Sequence, residues 1–276
     1  MIKLLFWNIY KKPLDGLLAL LANEHCPDVI ILAECPAPVA QFIERFNSAQ
    51  KSVVYRFVTT PTQGIVVLTR PPTVLKEIAL EELVTERNGR VGFYRLTPFE
   101  GPDLLLVGLH LLSKQHLSGG EQTQMAGRTR RSLDAIEQHV NHRRTVVIGD
   151  FNMDPFESGM ISAEGFHAVM DRKLIAKKGG QRILYGASRY FFYNPMWSLL
   201  GDESPGPPGT YYFEGAVDRH YWHTFDQVLL RPDLLRNFKS TSVRVLTSAG
   251  ATALLNAKGV PDRKKASDHL PLLVIL

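Results

Sequence analysis

The residues best suited to chemistry stand at the ends of apolar runs. Val146, Val147 and Ile148 form a β-branched run that reads as a strand buried on both faces, and Gly149 frees the backbone to turn at its end. Asp150 and Asn152 follow, two residues apart, so in extended geometry they point the same way. An acid and an amide at the mouth of an apolar strand are costly unless paired or used. Alone they would be ordinary turn formers. The same position recurs, however: Asn8 after Ile2–Trp7, Glu34 after Val29–Ala33, His110 after Leu104–Leu109, Asp226 inside Thr224–Leu230, and Asp268 and His269 before Leu272–Ile275. A carboxylate can accept a proton or grip a cation, an imidazole can donate to a charged oxygen, and an amide can orient either. Sheet folds gather ligand sites at strand ends and in the loops beyond them.

Periodicity supplies the elements that must position these groups. Strand Ile2–Trp7, a helix from Pro13 with Leu14, Leu17, Leu18 and Leu21 on one face, and strand Val29–Ala33 open an α/β layered fold. Pro38–Asn47 reads as a second helix, with strands Val53–Val58 and Gly64–Thr69 around a Pro61–Gly64 turn. Ile78–Asn88 carries Glu81, Glu82 and Glu86 on a solvated face, and Val91–Leu96 with Leu104–Leu109 makes a hairpin. After the polar loop Ser113–Gly120, a long helix spans Glu121–Asn141, with Arg128, Arg130 and Arg131 in its first half. Pro155 begins a short helix, Phe166–Val169 is a short strand, and Val243–Thr247 and Leu272–Ile275 close the chain.

Between Arg172 and Arg219 the pattern breaks down. Lysines and arginines interleave there with Tyr185, Tyr190, Phe191, Phe192, Tyr193 and Trp197, before the turn cluster S-P-G-P-P-G at Ser204–Gly209. Such a mixture suits a stacking platform for unpaired bases, or equally an inserted loop with its own small aromatic core. The expectation is one domain over residues 1–276 with an insertion at 172–219.

The 276 residues suffice for a sizeable core, and the net charge of +5 leans towards a polyanionic partner, nucleic acid first and an anionic membrane surface second. Cys26 and Cys35 form neither a disulfide framework nor a zinc set. No segment approaches a membrane span, and Met1–Tyr10 is too short in apolar residues for a signal peptide. The chain therefore reads as soluble and cytoplasmic.

The order of motifs resembles the endonuclease/exonuclease/phosphatase superfamily, with its deoxyribonuclease-I-like fold. F-W-N at Phe6–Asn8, L-A-E at Leu32–Glu34, G-I-V-V-L-T-R at Gly64–Arg70, G-L-H at Gly108–His110, G-D-F-N at Gly149–Asn152, T-F-D at Thr224–Asp226 and S-D-H at Ser267–His269 carry it over nearly the full length. The resemblance implies two packed mixed β-sheets flanked by helices, a four-layer α/β/β/α sandwich, with the site in a cleft at one rim. It implies hydrolysis of phosphate esters with Mg²⁺, or Mn²⁺ in its place. On this analogy Glu34 is the main metal ligand, supported by Asn8 and Asp268. Asp150 orients or deprotonates the attacking water, and Asn152 fixes that water and the phosphate. His269, held by Asp226, donates to a non-bridging oxygen, and His110 is a second donor. The acid that would orient His110 is not identifiable beyond Glu81, Glu82 or Glu86.

Phosphoryl transfer needs in-line positioning and charge neutralisation more than covalent chemistry, and this set of groups can supply both. Substrate contacts are expected from Arg90, Arg128, Arg131, Tyr190 and Trp197. The leading expectation is a divalent-metal-dependent phosphodiesterase acting on nucleic acid, DNA before RNA. The alternative is the same centre acting on a small phosphoester or phospholipid headgroup. A catalytically dead binding module should have lost Glu34, Asp150, Asn152 or His269, and all are present.

Overall fold

Alternation along single strands builds more than one core from the same residues. In strand β1 (Lys3–Asn8), Leu4 and Phe6 join one apolar cluster while Leu5 and Trp7 join another. Strand β2 (Val29–Ala33) splits likewise, Ile31 one way and Ile30 and Leu32 the other. The computed structural model describes residues 1–51, 53–58, 64–78, 90–204, 206–215, 220–236 and 238–276.

Two large mixed sheets result. The first holds six strands in the order Val243–Val245, Leu272–Ile275, β1, β2, β4 (Ile65–Thr69), β3 (Arg56–Val58). The second holds seven, in the order β5 (Val74–Glu77), β6 (Val91–Thr97), β7 (Leu104–His110), β8 (Thr145–Asp150), Asp226–Leu230, Phe192–Tyr193, Ala168–Val169. Their facing sides share a core that includes Phe6, Ile31, Val67, Leu106, Ile148, Val228 and Leu272. Outside the first sheet, α1 (Asp15–His25) and α2 (Val39–Ser48) supply Leu18, Leu21, Phe42 and Phe46 against Leu5, Trp7 and Leu32. Outside the second, α3 (Gly119–His139) packs Met125, Leu133 and Ile136 on Val107, Val147 and Leu229. These are the four layers α/β/β/α. Trp7 is fully buried between strand and helices, so Trp7→Ala would cost about 3–5 kcal/mol.

Several boundaries differ from expectation for local reasons. The long helix starts two residues early, at Gly119, because Ser118 and Glu121 form a capping box: Ser118 Oγ accepts from Glu121 N and Glu121 Oε2 accepts from Ser118 N. Asp226 begins its strand instead of lying inside it. Strand β5 was not apparent in the sequence, because Val74–Glu77 is a short edge strand with only Leu75 buried. The segment expected to be irregular contains a helix at Arg172–Lys177, a hairpin of Gln181–Leu184 with Ala187–Tyr190, and the sheet strand Phe192–Tyr193. Short elements of mixed burial leave little periodicity to read. Glu81, Glu82 and Glu86 lie outside the described residues. Cys26 and Cys35 are free thiols, and no helix among the described residues is long and apolar enough to cross a membrane.

Candidate active site

At one rim, the alternation that fills the inter-sheet core runs on into polar residues. Val146 and Ile148 belong to that core, and Asp150 is the next residue on the same face of β8. By the same rule Val228 leads back to Asp226, Leu106 leads through Gly108 to His110, and Phe6 leads to Asn8. Strand register sets His110 and Asp226 on either side of Asp150, in one row across the second sheet. Gly149 permits this close pairing of β7 and β8, since a Cβ there would collide with the carbonyl oxygen of Leu109. Asn8 reaches over from the first sheet, its Nδ2 donating to Asp150 Oδ2 at 3.0 Å.

Glu34 arrives by a different route. Ile31 and Ala33 face the inter-sheet core, so one more extended residue would point away from it. Glu34 instead adopts a φ of 51°, a left-handed conformation that costs about 1–2 kcal/mol in a residue with a side chain. Its Oε1 comes to 3.8 Å from His110 Nε2. Asn152 shares this conformation with a φ of 52°. Asn152 N donates to Asp150 Oδ1 at 2.9 Å, and its Nδ2 donates to Leu111 O at 2.9 Å.

His269 is held from behind. Its Nδ1 lies 2.8 Å from Asp226 Oδ2, leaving Nε2 directed at Asp150 Oδ2, 3.9 Å away. Burial alone would push this imidazole down, but the Asp226 carboxylate, its hydrogen bond, and Asp150 and Asp268 outweigh burial and raise it to about 10. His269 is therefore an imidazolium at neutral pH, with a donor at Nε2. Burial raises Asp226 to about 6, opposed by His269. Asp226 N donates to Thr210 Oγ1, Trp7 Nε1 donates to the His269 carbonyl, and Ser267 Oγ donates to Asn8 O at 2.6 Å while accepting from His269 N. His110 differs: burial lowers it, and Asp150 and Glu34 only partly offset that. Its Nε2 stands 3.8 Å from both Asp150 Oδ2 and Glu34 Oε1, and Arg90 O accepts from His110 N.

Asn8, Glu34, His110, Asp150, Asn152 and His269 line one open cleft of about 740 Å³, with Asp226 buried behind His269; the cleft also exposes Tyr10, Lys11, Asp268 and Tyr211. A sequence model of the endonuclease/exonuclease/phosphatase family matches residues 5–269, spanning every one of these groups. The chain belongs to that family. Its members hydrolyse phosphoester bonds and use divalent metals. The structure is similar to truncated Caenorhabditis elegans TDP2 (14% identity, 100% of this chain and 97% of that one covered, TM-score 0.58). It is also similar to the human Nocturnin catalytic domain with bound sulfate (16%, 99% and 93%, 0.54) and to D. rerio TDP2 complexed with single strand DNA product (18%, 99% and 97%, 0.52). At these identities the likeness concerns the fold. No curated protein matches the chain.

An endonuclease/exonuclease/phosphatase centre needs a divalent cation, and the donor set here fits one. Glu34 and Asp268 are partly solvated carboxylates and Asn8, whose Oδ1 also accepts from Tyr10 N at 3.1 Å, adds an amide oxygen, an all-oxygen set on an open cleft where a hard cation keeps some of its waters. Asp150, Asp226 and His269 also bring ligand atoms within 4.8 Å of one another, but Asp226 is fully buried and engaged with His269.

Of the expected substrate contacts, only Arg90 lines the cleft. Arg128 and Arg131 are exposed on α3 away from it. Tyr190 stands at the other end of β8. Its carbonyl accepts from Arg130 and Arg231, and Arg231 N donates to Thr145 O at the start of β8, roughly 17 Å along the strand from Asp150. Its ring lies 3.6 Å under the Arg143 guanidinium. Trp197 meets Phe156 instead of the cleft, and Phe191, Phe192 and Tyr193 are core residues. Tyr190, Phe191, Phe192, Tyr193 and Trp197 thus serve packing, whereas Tyr185 is exposed and outside the cleft lining.

Two contributors escaped the sequence reading. Tyr211 places its ring 4.7 Å from that of His269, and Thr210 anchors the Asp226 backbone. Tyr211 begins a strand only two residues long, Tyr211–Tyr212, with Thr210 just before it, too short for a periodic signal.

Proposed function

We propose that the protein is a Mg²⁺-dependent nuclease, with Mn²⁺ able to substitute, that hydrolyses phosphodiester bonds in nucleic acid, DNA in preference to RNA. The observation that carries this reading is the pairing of a buried carboxylate, Asp150, with His269, whose Nδ1 is held by Asp226 and whose Nε2 lies 3.9 Å from Asp150 at the same open cleft. Asp150, oriented by Asn8 and by the Asn152 backbone, takes the proton of the attacking water. His269 donates from Nε2 to a non-bridging oxygen as charge builds on phosphorus, while Asp226 keeps it protonated and aimed. Asn152 steadies water and phosphate, and His110, neutral here, donates to phosphate or the leaving oxygen. Glu34, with Asn8 and Asp268, would hold the cation, which neutralises charge on the phosphate oxygens. The net charge of +5, Arg90 and Lys11 at the cleft, and the DNA product in one protein of the same fold support nucleic acid as substrate.

A small phosphoester or lipid headgroup is the second reading, favoured by one feature. Val39, Ile43 and a half-exposed Phe57 give the Glu34 side of the cleft an apolar wall. Incubation with Mg²⁺ and labelled single-strand DNA, duplex DNA, RNA and phosphoinositides separates the two. Release from DNA that stops on chelation is the expected result, and release from phosphoinositides alone would overturn the nuclease.

A further inference from the structure

We infer that Asp154, His220 and His223 form a second metal site, beside the cleft, suited to a transition cation such as Zn²⁺. Two imidazole nitrogens converge on one carboxylate oxygen: His223 Nδ1 is 2.7 Å and His220 Nε2 3.4 Å from Asp154 Oδ2. Bonds of about 2.0–2.1 Å in a tetrahedral site set ligand atoms roughly 3.3 Å apart. The His220 pair already has that separation, and the His223 ring need retreat only by a fraction of an ångström.

Asp154 is buried, and among the described residues its ion partners are these two imidazoles and no lysine or arginine. A buried carboxylate with no lysine or arginine beside it is poorly compensated, and a divalent ion would compensate it. The carboxylate is also aimed from behind, Asp154 Oδ1 accepting from Thr224 N at 2.8 Å, as ligands in metal sites usually are. His223 is buried against Phe225, while His220 is half exposed beside Phe156, so the cluster reaches solvent on the His220 side.

Donor chemistry separates this site from the catalytic one. Two nitrogens and one oxygen suit Zn²⁺, Co²⁺ or Ni²⁺, whereas the oxygen set of Glu34, Asn8 and Asp268 suits Mg²⁺. The position also suggests a consequence. Trp222–His223 pairs with Tyr211–Tyr212, and Tyr211 stands over His269. An ion on Asp154 would tie that ribbon to the turn following β8, stiffening one wall of the cleft.

The test uses the full chain, stripped with a chelator and held in excess Mg²⁺, with Co²⁺ as the optical probe and Zn²⁺ as its competitor. One equivalent of Co²⁺ should bind, with visible d–d bands of a four- or five-coordinate site, and Zn²⁺ should displace it. His220→Ala, at a half-exposed position, should melt like the wild type without metal yet lose affinity by at least about 100-fold. Asp154→Asn should lose it too, whereas Glu34→Gln should keep it. In the Glu34→Gln background Zn²⁺ should raise the melting temperature, and adding His220→Ala should cancel that rise. Absence of a bound equivalent, or Co²⁺ binding that survives His220→Ala or vanishes with Glu34→Gln, would overturn the site and leave Asp154–His223 a plain hydrogen bond.

Discussion

The paired strands β8 and Asp226–Leu230 carry buried charges at both ends, and the two ends behave oppositely. At the far end Arg231, fully buried, gives Nε and Nη2 to Glu137, Nη2 also to Asp134, and Nη1 to the carbonyls of Tyr190 and Phe191. Its guanidinium lies 4.0 Å from the Phe192 ring, and Thr145 Oγ1 donates to Glu137 as well. Every nitrogen of the Arg231 guanidinium is spent on the protein. At the near end Asp150 and Asp226 are as deeply buried, yet His269 Nε2, Glu34 and Asp268 face an open cleft. Burial and charge alone therefore do not mark a site for chemistry. An unspent donor or lone pair facing space for a ligand does.

The sharpest way to break that contrast is one substitution at each end. Asp150→Asn should lower kcat by at least about 10³-fold, because the proton acceptor is gone. It should cost only about 1 kcal/mol of stability, since Asn offers a single acceptor oxygen where Asn8 Nδ2 and Asn152 N now each have one. Arg231→Leu should do the reverse, costing about 3–5 kcal/mol in urea unfolding by stranding Glu137, with kcat per folded molecule unchanged. Loss of the fold in the first variant, or of kcat in the second, would erase the distinction.

A smaller effect lies in pH. Asp226 must be ionised and His269 protonated, so activity should rise through about 6, hold across neutrality, and fall as pH passes about 10. Asp226→Asn removes the carboxylate that holds the imidazole charged, and burial then prevails. The alkaline limb should move down by several pH units, and a limb that stays in place would detach Asp226 from this role.

The smallest effect is at the far end. His167 is pushed down to about 4 by burial and then by the Arg182, Arg130 and Arg231 cations. An unfolded histidine titrates near 6.5, so between about 6.5 and about 4 the unfolded chain takes up a proton that the native one refuses. Stability present above that window is lost as pH falls through it, by up to about 1.4 kcal/mol per pH unit. His167→Asn, which tolerates the φ of 53° at that position, should flatten the acid slope seen in urea titrations.

Particular residues show where sequence sufficed. Phe6–Asn8, Val146–Asp150 and Leu104–His110 announce buried strands with polar ends, because a strand buried on both faces has no reason to carry an acid or imidazole unless its mouth is used. The structure brings those ends into one cleft. Glu34 was legible as a strand end, whereas the left-handed turn that redirects it was not. The basic and aromatic segment was legible only as composition. Arg130 became a buried partner of Asp134 and the Phe166 and Tyr190 carbonyls, while Arg131, one residue on, is exposed.

By itself the sequence determined the periods of its strands and helices, the two-sided burial of β1, β2 and β8, and the family to which the chain belongs. Only the tertiary structure decided that Tyr190 stands at the rim opposite Asp150, that Asp154 meets two histidines, and that Tyr211 covers His269. The physical reason is range. Backbone geometry fixes the direction of each side chain within a few residues, but which remote segments meet depends on strand order and register, set by the packing of both sheets together.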